Sequence, residues 1–255
     1  MEITILGTGT SQGVPVIACN CDVCKSSDSK DKRLRSSISV NVDDNYVVID
    51  TGPDFRQQML RENIQNIDAV LYTHHHKDHV AGLDDIRAYN FRWKKKMQLY
   101  CTESVSNALQ REFPYIFEEY KYPGIPKVEI NIIRNKTFKI GNTSILPIEA
   151  KHYKMPVFGY RIKDFVYLTD VSYINEIEKQ KMRGARVIVL DALRKEKHIS
   201  HFNLEQAVGL LLELKPEKAY LTHISHLMGK YADVNKDLPS FISLAYDGQK
   251  ITLDT

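Results

Sequence analysis

Four imidazoles and one carboxylate fall within six residues in the segment Thr73-His74-His75-His76-Lys77-Asp78-His79. Crowding so many ionisable groups beside a buried strand is costly unless a cation holds most of them. In an extended segment His74 and His76 point the same way, and Asp78 and His79 follow in a turn. Three apolar runs end alike: Leu71-Tyr72-Thr73-His74, Tyr167-Leu168-Thr169-Asp170 and Tyr220-Leu221-Thr222-His223 each stop at Thr and then present a metal-type ligand. His152 follows another apolar stretch, Ser144 to Ile148, by a few residues. In α/β architectures such strand ends line the crevice where sites are built, so ligands distant in sequence can converge there. Metal-assisted hydrolysis is the chemistry that such a set supports.

A second group is made of thiols. Cys19, Cys21 and Cys24 lie within six positions, while Cys101 stands alone beside Leu99 and Tyr100. That spacing is no disulfide framework. Clustered thiols in a reducing compartment serve a soft metal, and the fourth ligand must then come from elsewhere in the chain. Cys101 reads as a small core residue.

The elements that must position these groups are short and β-rich. Val187-Ile188-Val189-Leu190 is apolar on both faces, as in a strand buried between layers, whereas Ile38, Val40 and Val42 alternate with Ser37, Ser39 and Asn41, as in a strand with one wet face. Helical patterns recur between strands, at Phe55 to Glu62, Ser104 to Glu112, Ile174 to Met182, Leu204 to Leu214 and Leu238 to Ala245. Together they predict an α/β fold of four layers, αββα. Asn203 and Gln206 have the spacing of a capping box, which places His201 on the loop entering a helix. No Pro-, Gly- or Ser-rich stretch divides the chain, so residues 1–255 read as one domain with a Cys-rich loop at about 17–36.

Composition excludes several classes. With 43% hydrophobic and 26% charged residues the chain is neither disordered nor fibrous, and no apolar run approaches the span of a bilayer. The start, Met-Glu-Ile-Thr-Ile-Leu-Gly, lacks the bases of a signal peptide, so a cytoplasmic location is expected. A net charge of +3 does not by itself imply a nucleic-acid binder, and the run Arg92-Trp93-Lys94-Lys95-Lys96 reads as a solvated loop. The glycines of Leu6-Gly7-Thr8-Gly9-Thr10-Ser11-Gln12-Gly13 have the wrong spacing for a nucleotide-binding loop and read as a turn lining the cleft.

His74-x-His76-x-Asp78-His79, followed by His152, Asp170 and His223, resembles the metallo-β-lactamase superfamily over nearly the whole chain. The resemblance implies the αββα sandwich and a binuclear site holding two divalent cations, Zn or Mn. His74, His76 and His152 would hold one and Asp78, His79 and His223 the other, with Asp170 as the bridge. Asp50, in Ile49-Asp50-Thr51-Gly52-Pro53-Asp54, matches the family's strand-end Asp that orients a ligand histidine; an Asx turn or helix cap before Phe55 is its other reading.

Within the superfamily the sequence is similar to the phosphoribosyl cyclic phosphate phosphodiesterases of phosphonate breakdown, cousins of the tRNA 3′-end processing endonucleases. In that relative the Cys19-x-Cys21-x2-Cys24 pattern forms a structural zinc site with a His three residues after the last catalytic His, here His226. The segment Lys197-His198-Ile199-Ser200-His201-Phe202-Asn203 resembles the one whose His acts as general acid, a role implied for His201, with His198 as the other candidate. Only 17 residues separate His152 from Asp170, too few for the endonucleases' tRNA-clasping arm. The expected activity is therefore hydrolysis of a small cyclic phosphate or nucleotide-like phosphodiester by a metal-dependent phosphoric diester hydrolase. The expected partner is that substrate, with no membrane or nucleic acid and with a homodimer allowed. An arm-less RNA nuclease that uses Arg92 to Lys96, a thioester hydrolase of the same superfamily and a non-catalytic metal-holding scaffold are the alternatives. Substrate choice is assigned to loops such as Tyr115 to Lys127, and the ligand types suit Zn, Mn and Fe alike.

Overall fold

The computed structural model describes residues 1–118 and 122–254. Alternation opens the chain: β1 (Glu2–Gly7) buries Ile3 and Ile5 on one face and Leu6 on the other. β2 (Ser37–Val42), β3 (Asn45–Ile49), β4 (Ala69–Leu71), β5 (Met97–Cys101) and β6 (Val128–Ile132) continue the first sheet. β7 (Phe138–Ile140), β8 (Thr143–His152), β9 (Met155–Ile162), β10 (Phe165–Leu168), β11 (Val187–Asp191), β12 (Lys218–Thr222) and β13 (Ile242–Leu244) make the second, and β14 (Lys250–Thr252) returns to pair with β1. The described residues thus form two seven-stranded sheets, ordered β14-β1-β2-β3-β4-β5-β6 and β13-β12-β11-β10-β9-β8-β7. Strands β3 to β6 and β10 to β13 run parallel, so their carboxyl ends gather on one edge of each sheet.

Three apolar layers hold the architecture together. Ile3, Ile38, Ile49 and Leu71 of the first sheet face Ile145, Tyr160, Tyr167 and Val189 of the second. Burying each such side chain contributes about 1.5–3 kcal/mol, which is why the sheets pack face to face. Helices α1 (Phe55–Arg61), α2 (Lys77–Val80), α3 (Arg87–Trp93), α4 (Glu103–Glu112) and α5 (Pro114–Phe117) fall between strands of the first sheet, and Phe55, Met59, Tyr89 and Leu109 pack on Val48, Val70 and Leu99. On the other side, α6 (Glu176–Met182), α7 (Leu204–Leu214) and α8 (Tyr231–Asp237) press Met182, Leu211 and Val234 onto Val166, Ile188 and Ala219. This is the αββα sandwich expected from the sequence. The capping box also forms: Asn203 Oδ1 accepts from the Gln206 N–H at 3.0 Å and Gln206 Oε1 from the Asn203 N–H at 3.1 Å. It fixes the entry of α7 and with it the segment that carries His201.

Two local expectations change. The helical spacing at Leu238 to Ala245 is overruled, because Ile242 and Leu244 pair with β12 as the parallel strand β13 and bury in the second sheet's outer layer. The supposed wet face of β2 is largely dry: Ser37 and Ser39 are buried, Ser37 Oγ donating to the Ile49 and Asp50 carbonyls and Ser39 Oγ meeting the Tyr46 hydroxyl. Satisfied hydroxyls let that face bury without penalty. Of the loop Tyr115 to Lys127, positions 119–121 lie outside the described residues. No helix among the described residues is long and apolar enough to cross a membrane.

Candidate metal centre

The site lies where the carboxyl ends of β4, β10, β11 and β12 approach one another. His74 follows β4 by three residues, Asp170 follows β10 by two, His223 is the residue after β12, and His152 closes β8. The chain turns sharply at these ends. Asp50, Asp170 and His223 all take left-handed backbone conformations, with φ of 66°, 55° and 58°. Such conformations cost about 1–3 kcal/mol each in non-glycine residues and persist where surrounding structure imposes them. Close approach of the loops is made possible by Gly52, where a Cβ would collide with the Asp78 carbonyl.

Asp170 occupies the centre. Its Oδ1 faces His74 Nε2 at 3.9 Å, while Oδ2 faces His79 Nε2 at 3.2 Å and His223 Nδ1 at 3.1 Å. Asp78 Oδ2 lies 3.2 Å from the same His79 nitrogen. The ligand atoms of Asp78, His79, Asp170 and His223 all fall within 4.8 Å of one another. On the other side of Asp170 the rings of His74, His76 and His152 gather, with centroids 4.7 Å (His74–His76), 5.0 Å (His76–His152) and 5.7 Å (His74–His152) apart. The seven residues expected from the sequence thus gather around one carboxylate, and the His74 and His79 rings, assigned to different cations by the resemblance, lie 4.2 Å apart. His75, one residue from two of them, is half-buried and joins neither cluster.

Partners behind the rings fix which nitrogen faces inward. Asp50 Oδ2 lies 2.7 Å from His79 Nδ1, and the same carboxylate accepts from the Thr73 N–H and hydroxyl, both at 2.8 Å. His152 Nδ1 donates to the Ser200 carbonyl at 2.7 Å, and His74 Nδ1 meets Thr73 Oγ1 at 3.0 Å. Asp50 thus follows the orienting reading. His74 Nε2, His79 Nε2 and His223 Nδ1 are buried without a hydrogen-bond partner among the described residues. Three orphaned imidazole nitrogens turned toward two carboxylates fit a cation pair, in which an electron-pair acceptor replaces the missing donors.

Electrostatics agree with that fit. Burial holds the His74 and His223 pKa values below the usual imidazole value, leaving a lone pair free. His79 is the opposite case: burial disfavours its charge, but Asp78, Asp170 and Asp50 around it raise its pKa well above normal. Asp170 is held well below the usual carboxylate range, burial being outweighed by His223, His79 and His74. The pocket thus favours ionised carboxylates and concentrates negative charge where cations would sit.

His201 stands at the rim of this centre. Its ring stacks on His223 with centroids 4.9 Å apart and meets His152 edge-on at 4.5 Å. Nδ1 lies 3.3 Å from Asp191 Oδ2, a residue that sequence reasoning missed. Burial opposes the imidazolium, yet the charge and hydrogen bond of Asp191, with Asp170 and Asp78 behind, push the His201 pKa up to about 9. The signal for Asp191 was present: Val187-Ile188-Val189-Leu190-Asp191 is another apolar run ending in an acid. The structure also places His201 nearer the ligand set than expected, its ring nitrogen within 4.8 Å of ligand atoms of His152 and Asp170. His198, its alternative, is half-buried; its Nδ1 lies 3.2 Å from the Ser200 hydroxyl, and among the described residues no carboxylate bonds it.

The thiol cluster assembles separately. Cys19, Cys21 and Cys24 Sγ lie 3.3, 3.4 and 3.6 Å from His226 Nδ1. Tetrahedral zinc with bonds of ~2.3 Å to sulfur and ~2.0 Å to nitrogen sets this separation at about 3.5 Å. The Cys24 N–H and His226 pull the Cys21 thiol down to about 6, toward the thiolate that a metal needs. Thr10 donates its backbone N–H to the Ile224 carbonyl at 3.1 Å, so the glycine-bearing turn after β1 ties this loop to the end of β12.

Residues 45–224 match the family described as the beta-lactamase superfamily domain. The chain belongs to the metallo-β-lactamase superfamily. A solved superfamily structure, described as a new diphosphatase from the PhnP family, is 39% identical, with a TM-score of 0.93 over 99% of this chain and 98% of that one. Zinc-bound PqqB from Methylobacterium extorquens shares the fold, with a TM-score of 0.81 over 99% of this chain and all of that one at 20% identity. A protein named octanoyltransferase from Porphyromonas gingivalis is 34% identical over 257 aligned residues that cover all of this chain and 52% of that protein. The chain thus spans about half the length of that curated relative.

Proposed function

We infer that this superfamily member is a binuclear metal-dependent hydrolase of small phosphodiesters. The carrying observation is the central Asp170, with one carboxylate oxygen toward His74 and the other toward His79 and His223. His74, His76 and His152 would hold one cation and Asp78, His79 and His223 the other, with Asp170 shared between them. Two divalent cations, when bound, acidify water and neutralise charge on a phosphoryl group. The similar diphosphatase supports a phosphorus centre as the point of attack. Cys19, Cys21, Cys24 and His226 would hold a structural zinc in a closed site, away from turnover.

The protein's own groups supply orientation and a proton. Asp50 and the Ser200 carbonyl hold the His79 and His152 rings with Nε2 inward. His201 carries a proton that Asp191 stabilises, and its position beside His152 and His223 allows donation to the departing oxygen as the P–O bond breaks. His201 is preferred to His198 as the acid because its Nδ1 faces the Asp191 carboxylate, whereas that of His198 meets the Ser200 hydroxyl.

Acyl-thioester hydrolysis at the same site is the second reading, and one relative is named octanoyltransferase. About half of that protein has no counterpart here, so its name does not decide the chemistry of the shared half. Parallel assays separate the two. The phosphodiester reading expects metal-dependent release of nitrophenol from bis(p-nitrophenyl) phosphate and none of thiol from an octanoyl thioester; the reverse pattern overturns it.

A further inference from the structure

A cleft of 470 Å³ opens beside the metal centre, and its lining includes His76, His152, Tyr153, Lys154 and Ile199. The volume suits a nucleoside-sized group. Two of its lining residues are large apolar side chains left in solvent, Tyr153 at 50% and Ile199 at 69% exposure. Tyr153 is the first residue of the two-residue turn joining β8 to β9, since His152 pairs directly with Met155. It adopts φ of 56°, in a turn position normally given to Gly or Asn. Neither folding propensity nor burial calls for a tyrosine there.

The turn is nevertheless held firmly. The Tyr153 N–H donates to Ser172 Oγ at 2.9 Å, and that hydroxyl donates to the Lys151 carbonyl, also at 2.9 Å. Ser172 lies two residues beyond Asp170, so the turn is fastened to the strand end that carries the central carboxylate. The Lys154 ammonium sits 5.3 Å from the Tyr153 ring centre. An exposed aromatic ring with an ammonium held over it offers both a stacking surface and a cation to a ligand that is aromatic and anionic.

Resting on the phosphodiesterase reading, we propose that the substrate is a nucleoside phosphate ester whose base stacks on Tyr153 while Lys154 faces its phosphate. Tyr153 is then a specificity-determining residue, which accounts for a strained aromatic at the mouth of the centre. Stacking on one aromatic ring is worth about tenfold or more in affinity.

The test uses calorimetric titration of the metal-loaded protein with AMP and with ribose 5-phosphate, which differ by the base. AMP is expected to bind about tenfold tighter. Tyr153→Gly, which accepts the left-handed conformation and so preserves the turn, should bring the two dissociation constants together, while Tyr153→Phe should retain the difference. Equal affinities in the wild type, or a preference that survives Tyr153→Gly, overturn the proposal. A preparation that hydrolyses bis(p-nitrophenyl) phosphate yet shows no preference for AMP defeats this inference alone. One that hydrolyses no phosphodiester defeats the functional reading beneath it.

Discussion

His201 Nδ1 lies 3.3 Å from Asp191 Oδ2, and the same oxygen accepts from the Val171 N–H at 3.1 Å and the Phe202 N–H at 3.3 Å. The carboxylate therefore ties the acid-bearing loop to the strand end beside Asp170. His201→Ala is expected to keep its metal content and lose 10²–10⁴-fold in turnover of an alkyl phosphodiester. The loss on a p-nitrophenyl ester should be far smaller, because that leaving group departs without a proton. Equal losses on both substrates would contradict the acid role.

Asp50 acts one step further back. Its carboxylate holds both His79 and the Thr73 backbone, so Asp50→Ala frees the His79 ring and removes the charge behind it. Partners of this kind typically contribute 10–100-fold in metal affinity or activity. Titration of activity against Mn²⁺ should show a midpoint raised by that factor, and an unchanged midpoint would show that Asp50 serves only the turn.

At the thiol cluster, Cys21→Ser replaces a soft ligand by a hydroxyl and opens the closed four-ligand set. Elemental analysis should find one zinc fewer per chain, with a lowered melting temperature. Full zinc content and an unchanged melting temperature would refute a structural site there.

Asp247 gives the protein a pH signature away from the metal centre. Burial pushes its pKa up to about 6, against hydrogen bonds from the Leu34 N–H and the Thr8 hydroxyl and the charges of Arg61 and Arg33. A folded-state value above the unfolded 3.8 means that its contribution to stability is complete below 3.8 and lost as pH rises through about 6. Relative to Asp247→Asn, the wild type should gain about 1 kcal/mol between pH 7 and pH 5 in parallel urea denaturations. A difference independent of pH would show that the group titrates normally.

Much of this site was legible because it is written at strand ends. Runs of apolar residues that stop at a ligand-type side chain announced His74, Asp170 and His223, and the density of the His74 to His79 segment made a cation the cheapest explanation. The capping pair Asn203 and Gln206 located His201 on its loop. Asp191 escaped notice because a lone acid closing a strand has no local pattern; its role arises only from parallel pairing with β10, which sets it against Val171 and the His201 loop. The segment Leu238 to Ala245 misled because helical spacing over eight residues carries no information about a waiting sheet edge, and pairing with β12 decided it. Tyr153 was invisible for a related reason, since only the hairpin geometry of β8 and β9 sets it beside the site.

On the proposed function, Asp78, His79, Asp170 and His223, with His74, His76 and His152 beyond, would form a metal-dependent phosphodiester hydrolysis site. The most direct test is hydrolysis of bis(p-nitrophenyl) phosphate with added Mn²⁺ or Zn²⁺, comparing the wild type with Asp78→Ala in matched preparations. Activity is expected to require the added metal and to fall at least 100-fold in Asp78→Ala. Activity that is indifferent to the metal or survives in Asp78→Ala would contradict that function.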